Sequence, residues 1–341
     1  MVQNETKLRI RETIFFLTLL LASPGFYKVF DEILVNAIDN HARDSSTKRI
    51  DINLPCPGEV EPLISIRNDG RGIPVTMHNT EKIYIPQLIF GHLLTGSNFR
   101  DNNEHAERLT GGRHGYGAKL TNIFSNEFQV YTADARRRLE YRQSWSQNMR
   151  QYSDPLITKL PQGGKDLTQI SFRPDIQRFG LSELSEDMVR VLMMRAWDVA
   201  GCNHGRLDVY LNNVLLDTGG LETFFARFTR GPAVAMHVHK RWDVSVGSSP
   251  EGRFEHISYV NGAKTLRGGE HVSHVVQPIC EHLAKHINKK NKGVAATPAA
   301  VKKHLLLFVN AKIELPHFDS QTKELLITKV RRAMSYFGVT T

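Results

Sequence analysis

Glu32, Asn36 and Asn40 lie four residues apart, so a helix through them stacks all three along one face. Their neighbours in Phe30-Asp31-Glu32-Ile33-Leu34-Val35-Asn36-Ala37 are mostly apolar. A carboxylate and two carboxamides in line suit a site that activates water and meets Mg²⁺ through oxygen. The same spacing also describes a plain solvated helix face. A second candidate is Asn68-Asp69-Gly70-Arg71-Gly72-Ile73-Pro74. A polar pair at a strand end followed by Gly-x-Gly is a turn where backbone can approach a ligand closely, or simply a tight turn. The third is Gly111-Gly112-Arg113-His114-Gly115-Tyr116-Gly117-Ala118-Lys119. Its glycines free backbone N–H groups to turn towards an anion, and a helix beginning at about Tyr116 or Gly117 adds its positive end. It is neither a Walker A loop nor a dinucleotide fingerprint, because the glycine and lysine spacings differ. The fourth is His317-Phe318-Asp319-Ser320-Gln321-Thr322-Lys323, far down the chain. A lone lysine in such a place is ordinarily solvent-exposed.

These segments need elements to hold them. Apolar residues at Phe30, Ile33, Leu34, Ala37 and Ile38 predict a helix over 27–43, with Pro24-Gly25 as a break before it. Strands are expected at 63–67, 128–132, 139–145 and 168–172, and a second amphipathic helix at 187–199. Beyond it, strands at 207–211, 242–246, 257–260 and 305–309 surround a helix over 272–288. The small residues of 295–300 read as a loop. A boundary falls near Thr218-Gly219-Gly220.

Composition narrows the class. Of 341 residues, 40% are hydrophobic and 23% charged, which excludes coiled coil, collagen and wholesale disorder. The formal net charge of +9 is compatible with a polyanionic partner. Cys56, Cys202 and Cys280 are far apart without a CxxC, which argues against a zinc ribbon or disulfide framework and for a reducing compartment. Lys7, Arg9 and Arg11 before the apolar run 14–22 fit either a signal peptide or a buried strand leading into the first helix. The intracellular character of the rest of the chain favours the strand. The run is too short for a membrane span, and no membrane partner is expected.

Taken together, the four segments resemble the GHKL nucleotide-binding family and, within it, the eukaryotic type IIA topoisomerases. Phe30 to Ala37 is similar to the first family motif. Ile85-Pro86-Gln87-Leu88-Ile89-Phe90-Gly91 and Leu94-Thr95-Gly96-Ser97-Asn98 resemble the segment before the phosphate lid. Arg113 to Lys119 is similar to the lid itself, and Phe318 to Lys323 to the lysine loop. The likeness runs over 26–323.

The resemblance implies an α+β chain: a GHKL (Bergerat) α/β sandwich ATPase domain over 1–218, with 1–23 atypical, then a ribosomal-protein-like α+β transducer over 219–341. It implies ATP and Mg²⁺ as cofactors, double-stranded DNA as partner, a homodimer when an N-terminal arm is present, and a nuclear location, with the mitochondrion as alternative. Glu32 is then the general base and Asn36 the Mg²⁺ ligand. Asn68 meets the adenine amino group, where most of the superfamily has Asp. Thr168 supports the base edge, and Ile73 is among the nucleotide contacts. Asn40, Ser97 and Asn98 reach ribose or phosphate. Gly112, Arg113, His114, Gly115, Tyr116, Gly117, Ala118 and Lys119 wrap the triphosphate. Gln321 and Lys323 meet the γ-phosphate, with Lys323 counted as catalytic beside Glu32. Lys289, Lys290 and Lys292 contact DNA phosphates.

Met1 to Ser23 does not resemble the family's arm, and 324–341 drifts from the family. Neither the acidic metal-binding domain nor the DNA-attacking tyrosine's domain has a counterpart here, so the chain is expected not to break DNA alone. The competing functions are a MutL-like or chaperone-like ATPase, and a truncated non-enzymatic relative that binds nucleotide or DNA.

Overall fold

The computed structural model describes residues 23–92, 116–229, 233–237, 241–291, 293 and 295–329. They fall into two compact units, one ending at Asp217 and the other beginning at Thr218.

The first unit is built on a nine-stranded sheet. Its strands are β1 (Arg49–Asn53), β2 (Ile64–Asp69), β3 (Ser125–Asp134), β4 (Leu139–Ser146), β5 (Gln151–Tyr152), β6 (Leu156–Lys159), β7 (Leu167–Pro174), β8 (Asp208–Leu211) and β9 (Val214–Leu215). Their order is β5-β4-β3-β7-β2-β1-β8-β9, with β6 paired to β4. All pairs are antiparallel except β1 with β8. Four helices belong here: α1 (Pro24–Arg43), α2 (Ile85–Gly91), α3 (Gly117–Ile123) and α4 (Glu186–Cys202).

Alternation along the strands separates the two faces of this sheet. Ile50, Ile52, Ile64, Ile66, Phe128, Val130, Ile170 and Phe172 face one way and form a core with Phe30, Leu34 and Ile38 of α1 and Leu192, Ala196 and Val199 of α4. The opposite face carries polar residues such as Arg67, Gln129 and Arg142. The boundary of α1 differs from the expected one. Pro24 and Gly25 lie inside its first turn rather than before it, because a proline there gives up an N–H that has no helical partner anyway.

The second unit contains α5 (Leu221–Ala226), β10 (Ala233–His237), β11 (Trp242–Ser248), β12 (Glu255–Val260), β13 (Ala263–Lys264), β14 (Gly268–Gly269), α6 (Glu270–Lys290), α7 (Pro298–Lys302), β15 (Leu305–Ala311) and β16 (Leu325–Leu326). Five strands form a sheet in the order β10-β11-β15-β12-β13. Every residue of β15 is buried. Leu307 and Val309 pack with Val272, Val276 and Cys280 of α6. Phe308, on the other face, meets Phe224 and Phe225 of α5. The stretch 295–300 is not all loop: Thr297 caps α7 by accepting from the Ala300 N–H at 3.1 Å. Among the described residues no helix is long and apolar enough to cross a membrane.

Candidate functional site

α1 is buried on almost every side, and Asn36 is the one exposed residue between Phe26 and Asp39. One turn before it, Glu32 is only 5% exposed. The face that spacing left open as a solvated surface is therefore a buried carboxylate one turn before an exposed carboxamide.

An ionised carboxylate in such a place needs partners. Lys28 Nζ lies 2.8 Å from Glu32 Oε1 and 3.5 Å from Asp31 Oδ2. Asp31 Oδ1 in turn accepts from Arg195 Nε of α4 at 2.7 Å, and Arg195 is 1% exposed. Burial works against the Lys28 charge, but Asp31 and Glu32 outweigh it and raise its pKa.

The other oxygen of Glu32 faces the start of α3. A methyl group on Gly117 would lie 2.0 Å from Oε2. Only glycine permits this approach, so the last glycine of the third sequence candidate sits against the carboxylate of the first. α3 begins at Gly117 with Tyr116 at its N-cap position, where the sequence puts a helix start. Ala118 is buried, and Lys119 is 1% exposed with its pKa lowered by burial to about 8.

A second cluster closes the other end. Asn68, Thr168 and Thr132 sit opposite one another in register across β2, β7 and β3. They share the inward phase with Ile64, Ile66, Phe128 and Val130, so three polar side chains end an apolar face. Thr132 Oγ accepts from the Ile73 N–H at 3.1 Å, donates to the Leu167 carbonyl at 2.9 Å and lies 3.1 Å from Thr168 Oγ. The Asn68 amide donates to the Asp69 carbonyl at 2.8 Å. Ile73 and Thr168 thus meet at Thr132, and Asn68 lies opposite Thr168 in the ladder.

The Gly-x-Gly turn is strapped to the end of α1. A Cβ on Gly70, whose φ is +80°, would strike Thr47, and one on Gly72 would lie 2.3 Å from the Ala133 carbonyl. Asp44 accepts from the Arg71 N–H at 2.6 Å. Hydrogen bonds from Ser46 and this N–H hold its carboxyl below the usual range. The Asn40 amide donates to Thr47 Oγ at 3.0 Å and to the Arg71 carbonyl at 3.4 Å. Asn40 therefore holds the turn in place, and Asp69 joins it to β1 by accepting from the Lys48 and Arg49 N–H groups at 2.7 and 2.8 Å.

The lysine loop belongs to the second unit. β16 pairs in parallel with β14 just after Lys323. Arg267 Nη1 meets Asp319 Oδ2 at 2.6 Å, and the Arg267 N–H donates to the Glu324 carbonyl at 2.9 Å. Gly269, at φ +134°, lies so close to the Leu326 backbone that a Cβ would sit 2.3 Å away. Gln321 is exposed, but Lys323 is buried at 5%, with φ +62°. That burial overturns the ordinary expectation for a lone lysine. Lys289 and Lys290 are exposed in the last turn of α6, where their charges also oppose the helix's negative end. Ser97, Asn98, Gly112, Arg113, His114, Gly115 and Lys292 lie outside the described residues.

Sequence spacing missed Lys28, Arg195 and Thr132. Lys28 extends the four-residue ladder one turn back from Glu32. Thr132 is a polar residue in the inward phase of a strand. Arg195 gives no local sign of its pairing with Asp31, 164 positions away.

Comparison with known proteins bears on this geometry. Residues 22–165 match the family model described as histidine kinase-, DNA gyrase B-, and HSP90-like ATPase, and residues 207–337 match that of DNA gyrase B. The chain is 45% identical over 313 residues to the probable DNA topoisomerase 2 of Dictyostelium discoideum, covering 90% of this chain and 20% of the relative. It is 43% identical over 314 residues to DNA topoisomerase 2 of Arabidopsis thaliana, covering 89% of this chain and 21% of that one. The chain thus spans about a fifth of the length of these relatives. The solved ATPase and transducer domains of DNA topoisomerase II from Balamuthia mandrillaris superpose with a TM-score of 0.83 at 44% identity, over 93% of this chain and 79% of that one. The ATPase region of Saccharomyces cerevisiae topoisomerase II superposes with a TM-score of 0.82 at 41% identity, over 90% of this chain and 78% of that one. With Glu32, Gly117 and the Asn68–Thr168 row all set in that shared fold, this chain belongs to the DNA topoisomerase II family, within its ATPase and transducer region.

Proposed function

We propose that the chain binds ATP with Mg²⁺, that Glu32 is the general base for γ-phosphate hydrolysis, and that the cycle drives DNA strand passage in a type II topoisomerase. The observation that carries this is the meeting of Glu32 Oε2 with Gly117, which puts a carboxylate against the start of the phosphate-loop helix. A base must sit within hydrogen-bond reach of the attacking water, beside the phosphates.

The remaining roles follow from position. Asn68 and Thr168, at the polar end of the sheet, receive the adenine edge together with Ile73. The exposed carboxamide of Asn36 offers one oxygen to Mg²⁺, which suits an ion that takes most of its ligands from phosphate and water. Among the described residues no group of three His, Cys, Asp or Glu could hold a metal by itself, in keeping with an ion that arrives with the nucleotide. When bound, Mg²⁺ supplies charge neutralisation at the phosphate oxygens. Glu32 takes the proton of the attacking water. Gln321 and Lys323 report the γ-phosphate to the second unit, since its loss removes the partner of a charged hydrogen bond. Lys289, Lys290 and Lys292 contact DNA phosphates without reading bases.

The test is Glu32→Gln. The variant should bind ATP with near wild-type affinity and turn it over at least ~100-fold more slowly. Unchanged turnover would remove Glu32 from the role of base.

A further inference from the structure

We infer that Thr132 is a positioning residue that sets the hydrogen-bond polarity of the Asn68–Thr168 row. The row then shows acceptors to its ligand and selects a purine with an amino group over one with a carbonyl in the same place. This role deepens the ATP-binding function proposed above and rests on it.

Thr132 is fully buried in β3. Valine would suit a buried strand position as well, so the hydroxyl needs a reason. A hydroxyl has one proton and two lone pairs. The Thr132 proton goes to the Leu167 carbonyl at 2.9 Å, a group that can only accept. One lone pair takes the Ile73 N–H at 3.1 Å. Thr168 Oγ lies 3.1 Å away, and with the Thr132 proton already placed, the proton between the two hydroxyls comes from Thr168. All three capacities of Thr132 are thereby filled. The Gly-x-Gly turn is shaped to reach this hydroxyl. A Cβ on Gly72 would lie 3.0 Å from Thr132 Oγ and 2.3 Å from the Ala133 carbonyl, so a side chain there would hold the turn off.

The consequence falls on Thr168. Its proton points back at Thr132, and what remains for a ligand is oxygen lone pairs. Asn68, opposite Thr168 in the ladder, is turned in the same sense. Its amide nitrogen faces the Asp69 carbonyl at 2.8 Å, which fixes the orientation of the carboxamide. Its oxygen accepts no hydrogen bond from the described residues. A ligand edge that donates N–H meets this row well. A carbonyl edge would set oxygen against oxygen and leave buried polar groups unpaired.

The test compares ATP with inosine triphosphate, which has a carbonyl where ATP has its amino group. Affinities for this chain are read by competition against a fluorescent ATP analogue. Wild type should prefer ATP by at least about 100-fold. Thr132→Val frees the Thr168 proton to turn outward, so ATP should bind more weakly and the preference should fall roughly 10-fold. Thr132→Ser keeps the hydroxyl and should hold the preference within about twofold of wild type. Should Thr132→Val not fold, as judged by its denaturant midpoint, Thr132→Cys carries the same test, because a thiol is a weak donor and acceptor. An unchanged preference overturns the inference. It does so even where both affinities fall together, which is the mark of a turn that has merely lost its support. A wild-type chain that binds both nucleotides equally also overturns it while leaving ATP binding intact. One that binds neither defeats the nucleotide-binding function and the polarity role with it.

Discussion

α1 and α6 are the two long helices of the described chain, and they bury polar groups in opposite ways. α1 has 20 residues and buries 11 of them, including Asp31, Glu32 and Asp39. α6 has 21 residues and buries six, of which only His271 is polar. The carboxylates of α1 each have a cation beside them: Lys28 for Glu32, Arg195 for Asp31, and Arg43, at 4.0 Å, for Asp39. His271 gives up its charge instead. Burial, with His256 nearby, lowers its pKa from 6.5 to about 3, and it needs only the hydroxyl of Thr265 at 3.1 Å. A core tolerates a neutral imidazole with one partner, whereas an ionised pair needs a whole set of counter-charges. The cost of that set is understandable at Glu32 under its proposed role as general base, a role that nothing in α6 is proposed to share.

This contrast can be broken at several points. The largest expected effect is Arg195→Ala. It strands Asp31 in the core and should cost about 3–5 kcal/mol, read from denaturant midpoints. Arg190→Ala on the same helix breaks an exposed pair with Glu186 and should cost under about 1 kcal/mol. Equal losses would mean that burial is not what distinguishes the pairs. Next, Gly117→Ala should displace Glu32 and slow ATP turnover by about 100-fold in a steady-state assay. A near wild-type rate would show that the contact does not set the base.

The third prediction concerns α6. Below pH 6.5 the unfolded chain takes up a proton that buried His271 refuses, so its contribution to stability is complete above pH 6.5 and falls as pH drops towards 3. The slope is at most about 1.4 kcal/mol per pH unit. His271→Gln should flatten the difference between urea midpoints at pH 7 and pH 5, and an unaltered difference would place the titration elsewhere. The smallest effect is expected at the exposed end of α6. Lys289→Ala with Lys290→Ala should change stability by only a few tenths of a kcal/mol. The same pair should lower the slope of log affinity for duplex DNA against log salt by about two. If fluorescence anisotropy shows the same slope, these lysines do not contact the backbone.

The long elements were legible because one residue pattern specifies each. Period-3.6 apolar spacing announced α1, α4 and α6, and the run of Leu305 to Val309 announced a strand covered on both faces. Short or edge elements such as β1, α2 and α5 give too few residues for a period to declare itself, and α7 is hidden by small residues until its Thr297 cap is seen. In the site, Glu32 and Asn36 were visible from spacing, but their opposite burial was not, because exposure depends on what α3 and α4 bring against α1. Asn40 illustrates the limit: its type suited a ligand contact, while its amide is occupied by Thr47 and Arg71. Lys323 shows the reverse, since its burial comes from tertiary surroundings that the loop's own residues do not announce.

The parallel pairing of β1 with β8 constrains how the chain is made. The Leu54 N–H donates to the Asn212 carboxamide, 158 positions later. At roughly 5–20 residues per second, a ribosome needs about 8 to 30 s to synthesise that interval. During this time β1 can pair with β2 on one side but has an open edge on the other. Such an edge can recruit another nascent chain. The alternation of Arg49, Asp51 and Asn53 with Ile50 and Ile52 makes that edge half polar, so the same pattern that buries one face in the finished sheet also guards the strand while it waits for its neighbour.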